Sequence, residues 1–392
     1  MIHPEALAPH YRRFRVSERV LLTGHSHQAW PDAGYAGQER AWTDAAELVD
    51  EKWERAFAQA ELVRAGFAAL LHDRPERIAL GASTHDLLVR LLSALPLRAR
   101  PRLVTTDGEF HTARRQLDRL AEEGVEIARC PAAPVATLAG RLAAAVTDRT
   151  AAVLVSAVLF ETAEIVPGLD QLLAACRRSG AALIVDAYHA LNAIPFALDT
   201  LGLSGAYVLG GGYKYCQLGE GNCFLRFPED CELRPVITGW YAEFAQLADA
   251  PARTVRYDPG PARFAGATYD PTSHYRGAAV FAFFRDQHLA PDALRQLSRH
   301  QVGRLAEGFD ALGLDPAVAS RDRRTPLAGI AGFLTLQSPR AAEWSAALRT
   351  RGIHTDVRGH RIRLGPAPYL TDLQLDTAVA AIAESVRALP AR

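Results

Sequence analysis

Through the middle of the chain, short β-branched runs alternate with longer helical patterns, and no other feature restricts the possible folds as much. ERIALGAS leads into THDLLVRLLSAL, and PRLVTTD into HTARRQLDRLAEEG. AAVLVSAV precedes GLDQLLAACRRSG, after which AALIVDAY, GAYVLGGG and NCFLRF follow in turn. Strands at helix-sized spacing need crossover connections, so the pattern predicts an α/β fold with a mostly parallel sheet between helices. The tail reads differently: the helical VGRLAEGFDALG, then GFLTLQ, AAEWSAALRTRG, the strand-like HRIRLGP and a closing helix in TDLQLDTAVAAIAESVRAL. A chain of 392 residues is long enough for two domains. The expected division is an N-terminal segment over 1–45 that wraps both parts, a large domain over 46–284 and a smaller C-terminal α+β domain over 285–392.

In such sheets ligands bind beyond the carboxyl ends of the strands, so the residues that follow each run are the candidates for chemistry. Asp186 follows AALIV directly, and Lys214 follows GAYVLGG within GGGYKYCQLGEG. The chain holds 44 basic residues, yet only Lys52 and Lys214 are lysines. Arginine stays protonated, whereas a lysine in a suitable site loses its proton and attacks a carbonyl. Lys52, in VDEKWERAF, reads as a solvated helix face, which leaves Lys214 without a plain structural reason. Ser83 and Thr84 follow ERIALGA and open a helix, where hydroxyls and free amides suit a phosphate. Phe110 follows PRLVTTDGE.

Each of these has a bland alternative. An acid after a strand is commonly a cap, a Ser-Thr pair a common N-cap, a phenylalanine core and a lysine a surface residue. All four falling in order at successive strand ends is harder to reach by capping. A phosphate cradle, an aromatic face, a carboxylate and one lysine are what pyridoxal phosphate (PLP) requires: a Schiff-base lysine, a partner for the pyridinium nitrogen and a ring to stack on. GGGYK is no dinucleotide fingerprint, because Lys214 interrupts it and no helix-opening GxGxxG follows.

Composition excludes other classes. A net charge of zero gives no electrostatic footprint for nucleic acid or an anionic membrane. The five cysteines have no CxxC pair and read as free thiols, with neither a disulfide framework nor a zinc site. The N-terminus lacks a long apolar run and TAAVLVSAVLF is too short to span a bilayer, so the expected place is the cytoplasm. His25 and His27 have HxH spacing but no nearby third ligand, so no metal is expected.

The motifs resemble the kynureninase branch of the class V, fold-type-I PLP-dependent enzymes. VDAYHALNAIP is similar to that family's Asp-x-x-His-Ala segment, GGGYKY to its Tyr-Lys-Tyr segment, and ITGWYAEF to a Gly-Trp segment. TDVRGHRIRLGPAPYLTD is similar to its C-terminal Asp-x-Arg … Ile-Arg-x-x-Pro-x-Pro pattern. The resemblance implies that Lys214 carries the cofactor, with Asp186 on its ring nitrogen and His189 close by. Tyr213, Ser83, Thr84 and Trp240 would surround the phosphate, Phe110 would stack on the ring, and Ser156 would lie near it. Arg363 would clamp the substrate α-carboxylate, with Arg361 read as pointing to the opposite face, and Ser26 and His27 would line the substrate pocket. It also implies a homodimer whose active site receives Trp240 and the Asp270 region from the partner subunit.

Phe110 sets the chain apart from cysteine desulfurases and many class V aminotransferases, which place histidine at that stacking position. The desulfurase nucleophile is also missing, since no cysteine follows Cys231. Several substrate positions depart from the kynureninase pattern: GHSHQ replaces its early Asn-Ser-Leu-Gly, Phe110-His111-Thr112-Ala113 its Phe-Pro-Ser-Asp, and Asp270 its asparagine. The leading expectation is hydrolytic Cβ–Cγ cleavage of kynurenine or a related amino acid, releasing alanine and an aromatic acid. The alternative is a class V aminotransferase, lyase or epimerase acting on another amino acid. A non-catalytic cofactor-binding domain is a third reading, disfavoured because no DNA-binding segment is appended.

Overall fold

A computed structural model describes residues 2–249 and 253–388. Seven strands form the main sheet: β1 (Ile78–Gly81), β2 (Arg102–Thr106), β3 (Glu126–Cys130), β4 (Thr150–Ser156), β5 (Ala182–Asp186), β6 (Tyr207–Gly211) and β7 (Cys223–Arg226). Their spatial order is β1-β7-β6-β5-β4-β2-β3. Only β7 runs against its neighbours, pairing antiparallel with β1 and β6. The mostly parallel sheet read from the alternation is therefore present.

The central strands are apolar throughout, as both faces are covered by helices. All residues of β4 and β6 are buried, and so are the three central residues of β5. β3 was not read as a strand from the sequence, because it lies at the sheet edge and its side chains are mostly exposed or half-buried. Helix α1 (Asp32–Leu48) and helix α2 (Lys52–Leu71) precede the sheet, and α3 (Thr84–Ala94) and α4 (His111–Glu122) follow β1 and β2. Helix α4 shows why such segments pack as they do: in HTARRQLDRLAE, Ala113 and Leu117 are one turn apart and buried while the charges face out. Helices α5 (Leu138–Ala145) and α6 (Leu169–Arg178) flank β4.

Helices α7 (Thr272–Asp286) and α8 (Pro291–Ala311) lead to the C-terminal part, where β8 (Ser320–Arg321), β9 (Leu334–Gln337), β10 (Asp356–Arg358) and β11 (Arg361–Leu364) form an antiparallel sheet. Its helices are α9 (Ala341–Arg349) and α10 (Asp372–Ala388). The N-terminal segment ties onto this part through parallel pairing of Val20–Leu21 with Ile353–His354 and a bridge from Thr23 to Gly365. Position 45 lies within α1, and 284 within α7. One apolar core runs through both parts, from Val155 and Val185 in the sheet to the fully buried Trp344 of α9. Among the described residues, no helix is long and apolar enough to cross a membrane.

Candidate active site

The carboxyl ends of β4, β5 and β6 and the start of α3 surround one cavity of about 340 Å³. Strand β6 ends in Gly210 and Gly211, and a Cβ at 211 would stand 2.4 Å from the Tyr188 hydroxyl oxygen. Glycine is needed there for the backbone to pass beneath that ring. The chain then turns back, closed by Gly212 N–H to Asn222 O at 2.8 Å and Gln217 N–H to Lys214 O at 3.0 Å, with Gln217 at φ +59°. This loop aims Lys214 into the cavity.

Lys214 is 5% exposed, and its Nζ lies 4.6 Å from the Tyr188 ring centre, 5.5 Å from Phe110 and 5.6 Å from Tyr213. Nζ stands 2.7 Å from His189 Nε2. Burial lowers the Lys214 pKa to about 7, against the upward pull of Asp186 and with help from Arg363 and Arg358. Burial also holds His189 well below its ordinary value, with Lys214 adding to the effect, so the imidazole is neutral where it meets the amine. His189 Nδ1 is buried without a hydrogen-bond partner.

Asp186 ends β5, and its Oδ1 accepts the Tyr188 N–H at 2.8 Å. Burial raises its pKa, while that amide and Lys214 pull it back down. Ser83 is the N-cap of α3, its hydroxyl accepting the Asp86 N–H at 3.1 Å, and Thr84 opens the helix beside Gly210. Both line the cavity, so the first turn of α3 presents amides there. Phe110 is the residue before α4, its ring 5.3 Å from that of Phe160 and nearly perpendicular. Ser156 and Tyr213 complete the set that the sequence pointed to.

Other expected residues stand elsewhere. His27 stacks on Tyr213 at 5.0 Å and is exposed, beside Glu220 at the mouth. Ser26 donates its hydroxyl to Thr23 O at 3.2 Å and does not line the cavity. His25 is fully buried and reaches Asp356 at 3.5 Å, so the two histidines of the HxH diverge. Among the described residues no group of three or more histidines, cysteines and acids is placed to hold a metal. Within the chain, Trp240 is half-exposed beside Tyr241, and Asp270 accepts the Thr272 N–H and hydroxyl at the start of α7. Neither reaches the cavity.

Arg363 is 3% exposed and pairs with Asp356 directly across the β10–β11 ladder, through both Nε and Nη2. Its Nη1 donates to Phe160 O. Burial would raise the Asp356 pKa, but His25 and the Arg363 guanidinium hold it well below the usual carboxylate range. The reading of Arg361 on the opposite face is corrected: residues two apart on a strand share a face, and both arginines reach the 160–161 segment, Arg361 through Glu161 at 2.6 Å. What separates them is burial. Removing one partner of a buried pair strands the other charge, so Arg363→Ala is expected to lower unfolding free energy by about 3 kcal/mol. The half-exposed Arg361 pair is worth about 0–1 kcal/mol. Denaturant titration of both variants measures the difference.

The sequence reading missed Glu109, Tyr188 and Asp356. Glu109 is buried behind Phe110, and its carboxylate bridges Ser156 and Thr106 at 2.6 and 2.7 Å. Its signal was available, since it too is an acid just past a strand.

No family model matches the chain. An uncharacterized aminotransferase of Bacillus subtilis (strain 168), YcbU, is 24% identical over 334 residues, 84% of this chain and 85% of that protein. A C-DES mutant with glycine covalently linked to its PLP cofactor superposes with a TM-score of 0.84 at 16% identity, over 96% of this chain and 98% of its own. The cysteine desulfurase of Thermococcus onnurineus NA1 gives 0.83 at 16% identity, with 99% of both chains covered. The Escherichia coli cysteine desulfurase CsdA gives 0.82 at 16%, with 100% of both covered. The chain has the type I fold of PLP-dependent transferases. These matches extend over the whole chain and do not distinguish the kynureninase branch.

The residues of this type I site fit PLP. The α3 N-terminus supplies amides for a phosphate, Phe110 a flat face, Asp186 a carboxylate and Lys214 an amine that gives up its proton near neutrality. His189 Nδ1 leaves a buried polar atom still to be satisfied.

Proposed function

We propose that this protein is a PLP-dependent enzyme acting on an amino acid, with Lys214 as its cofactor-binding and proton-transfer residue. The observation that carries this reading is the buried Lys214 amine, its pKa lowered to about 7, enclosed by three aromatic rings at the strand ends with Asp186 in the same cavity. When bound, PLP supplies an electron sink that weakens bonds to the substrate α-carbon.

The chain's own groups have separate tasks. Lys214 accepts a proton from the substrate and returns it, and His189, 2.7 Å away, holds the amine in place. With PLP bound, the Asp186 carboxylate would be the group that holds a proton on the ring nitrogen. Ser83, Thr84 and Tyr213 would hold the phosphate and Phe110 would stack on the ring, while Ser156 stands beside Asp186 as its register partner. His27 would serve the substrate side of the mouth, with Ser26 on the turn that carries it, and Arg363 would meet the substrate carboxylate by exchanging Asp356 for it.

For the reaction, we favour transamination or lyase chemistry over kynurenine hydrolysis. The Bacillus relative is described as an aminotransferase, and C-DES as a cystine C–S lyase. Desulfuration by a protein thiol is disfavoured by the cysteines themselves. Only Cys223 lines the cavity, and burial raises its pKa, away from the reactive thiolate. Hydrolysis of kynurenine rests on Phe110 and the C-terminal pattern. The test is a panel of amino acids added to the PLP-loaded protein, followed by absorbance and product analysis. Keto-acid or β-eliminated products support the favoured reading; alanine and anthranilate from kynurenine would replace it with the hydrolase.

We also propose a homodimer that brings Trp240 and Asp270 to the partner's site. Val236, Trp240, Phe244 and Leu247 are 81%, 43%, 46% and 48% exposed within one short segment, an apolar patch that a second copy would cover. Sedimentation should report a dimer that Trp240→Asp weakens; a wild-type monomer at micromolar concentration removes the proposal.

A further inference from the structure

Glu109 lies in the loop between β2 and α4 and is 4% exposed. No ion pair to it occurs among the described residues. Its Oε1 accepts the Thr106 hydroxyl at 2.7 Å and the Ser156 N–H at 3.2 Å. The Thr106 oxygen in turn accepts the Gly108 N–H at 3.1 Å, which occupies one of its lone pairs and turns its hydroxyl hydrogen toward Oε1. Oε1 therefore already has two donors, and any proton on the carboxyl resides on Oε2. The partner of Oε2 is Ser156 Oγ at 2.6 Å.

One hydrogen can lie along that line. If it comes from Glu109, the Ser156 hydrogen is free to turn into the cavity, which Ser156 lines. If it comes from Ser156, only lone pairs face the cavity. We propose that Glu109 is a positioning residue whose proton sets whether Ser156 is a donor or an acceptor toward the cofactor site. The inference draws on the PLP reading for its consequence alone.

The titratable group facing Glu109 is Asp186 on β5, while β2 and β4 contribute the hydroxyls of Thr106 and Ser156. Burial and Asp186 push the Glu109 carboxyl up, the two hydroxyls pull it down, and it settles at about 7. Glu109 is therefore neutral below that pH and ionised above it, which places the change of Ser156 at neutrality. Below it, Ser156 offers a donor beside its register partner Asp186; above it, that donor is withdrawn.

Glu109→Gln fixes the donor state, because the amide N–H replaces the acid proton on Ser156 Oγ and the amide oxygen keeps the Thr106 and Ser156 N–H bonds. The visible absorbance of the PLP-loaded protein, titrated across neutrality, should show a transition near pH 7 in the wild type. Glu109→Gln should show the low-pH spectrum throughout. Glu109→Ala should lose the transition without reproducing that spectrum, which separates positioning from mere packing. A transition that persists in Glu109→Gln overturns the proposal.

Infrared spectra of the cofactor-free protein give an independent readout. A buried carboxylic-acid carbonyl band should titrate near pH 7, vanish in Glu109→Gln, and move to higher frequency in Ser156→Ala as Oε2–H loses its acceptor. An unmoved band in Ser156→Ala also overturns the proposal. If the protein takes up no PLP while the band behaves as stated, the cofactor reading fails and the Glu109–Ser156 coupling stands.

Discussion

Lys214→Ala is expected to abolish borohydride-fixable attachment of PLP, and Lys52→Arg to leave it unchanged. The chain has only these two lysines, so a tryptic map assigns the label without ambiguity. Lys52 sits at the start of α2, outside the cavity, with its Nζ 6.0 Å from the Trp53 ring centre. Lys214 is buried, and burial brings its pKa to about 7. An amine with a pKa of about 7 is half neutral at pH 7, against roughly one part in 10³ for an ordinary lysine, a difference on the order of 10³ in nucleophile. The sign follows: attachment should be slow below pH 7, where Nζ is protonated, and speed up as pH rises through it. A Lys214→Ala protein that still yields a fixed PLP adduct would remove the central assignment.

Lys214 and Asp186 were legible because the strand–helix alternation locates the sheet's carboxyl edge, and the rule for ligand position then selects the residues just past it. The same logic had access to Glu109 and passed over it for the aromatic residue beside it, since nothing in TTDGEF tells that its acid folds inward to Ser156. Arg363 shows a different limit. Its IRLGPAP segment suggested a free clamp, whereas its partner Asp356 is fixed by hairpin register, which depends on the turn at Gly359 rather than on any pattern of apolar residues. Edge strand β3 escaped because an exposed strand has no buried stripe to reveal it. Trp240 and Asp270 came from the family resemblance, and neither lines the cavity of its own chain.

Asp186→Asn is expected to keep PLP and lose most turnover. The amide can preserve the local fold, since its oxygen still accepts the Tyr188 N–H that Asp186 Oδ1 takes at 2.8 Å. What it cannot preserve is the negative charge. Losing a preorganised electrostatic partner costs on the order of 10²-fold or more in rate. A second effect separates this role from capping. Of the two carboxylates that pull the Lys214 pKa up against burial, Asp186 and Asp356, Asp186 acts more strongly, so its neutralisation should move that pKa further down from about 7. The pH at which PLP attachment accelerates should then shift to the acid side in Asp186→Asn, while Ser83→Ala, which removes a cap and phosphate-side hydroxyl but no charge, leaves that midpoint in place. Turnover and attachment midpoint together decide the matter. Near-wild-type turnover with an unmoved midpoint would mean that Asp186 only caps the turn at Tyr188, and the carboxylate serving the ring nitrogen would have to be sought elsewhere in the cavity.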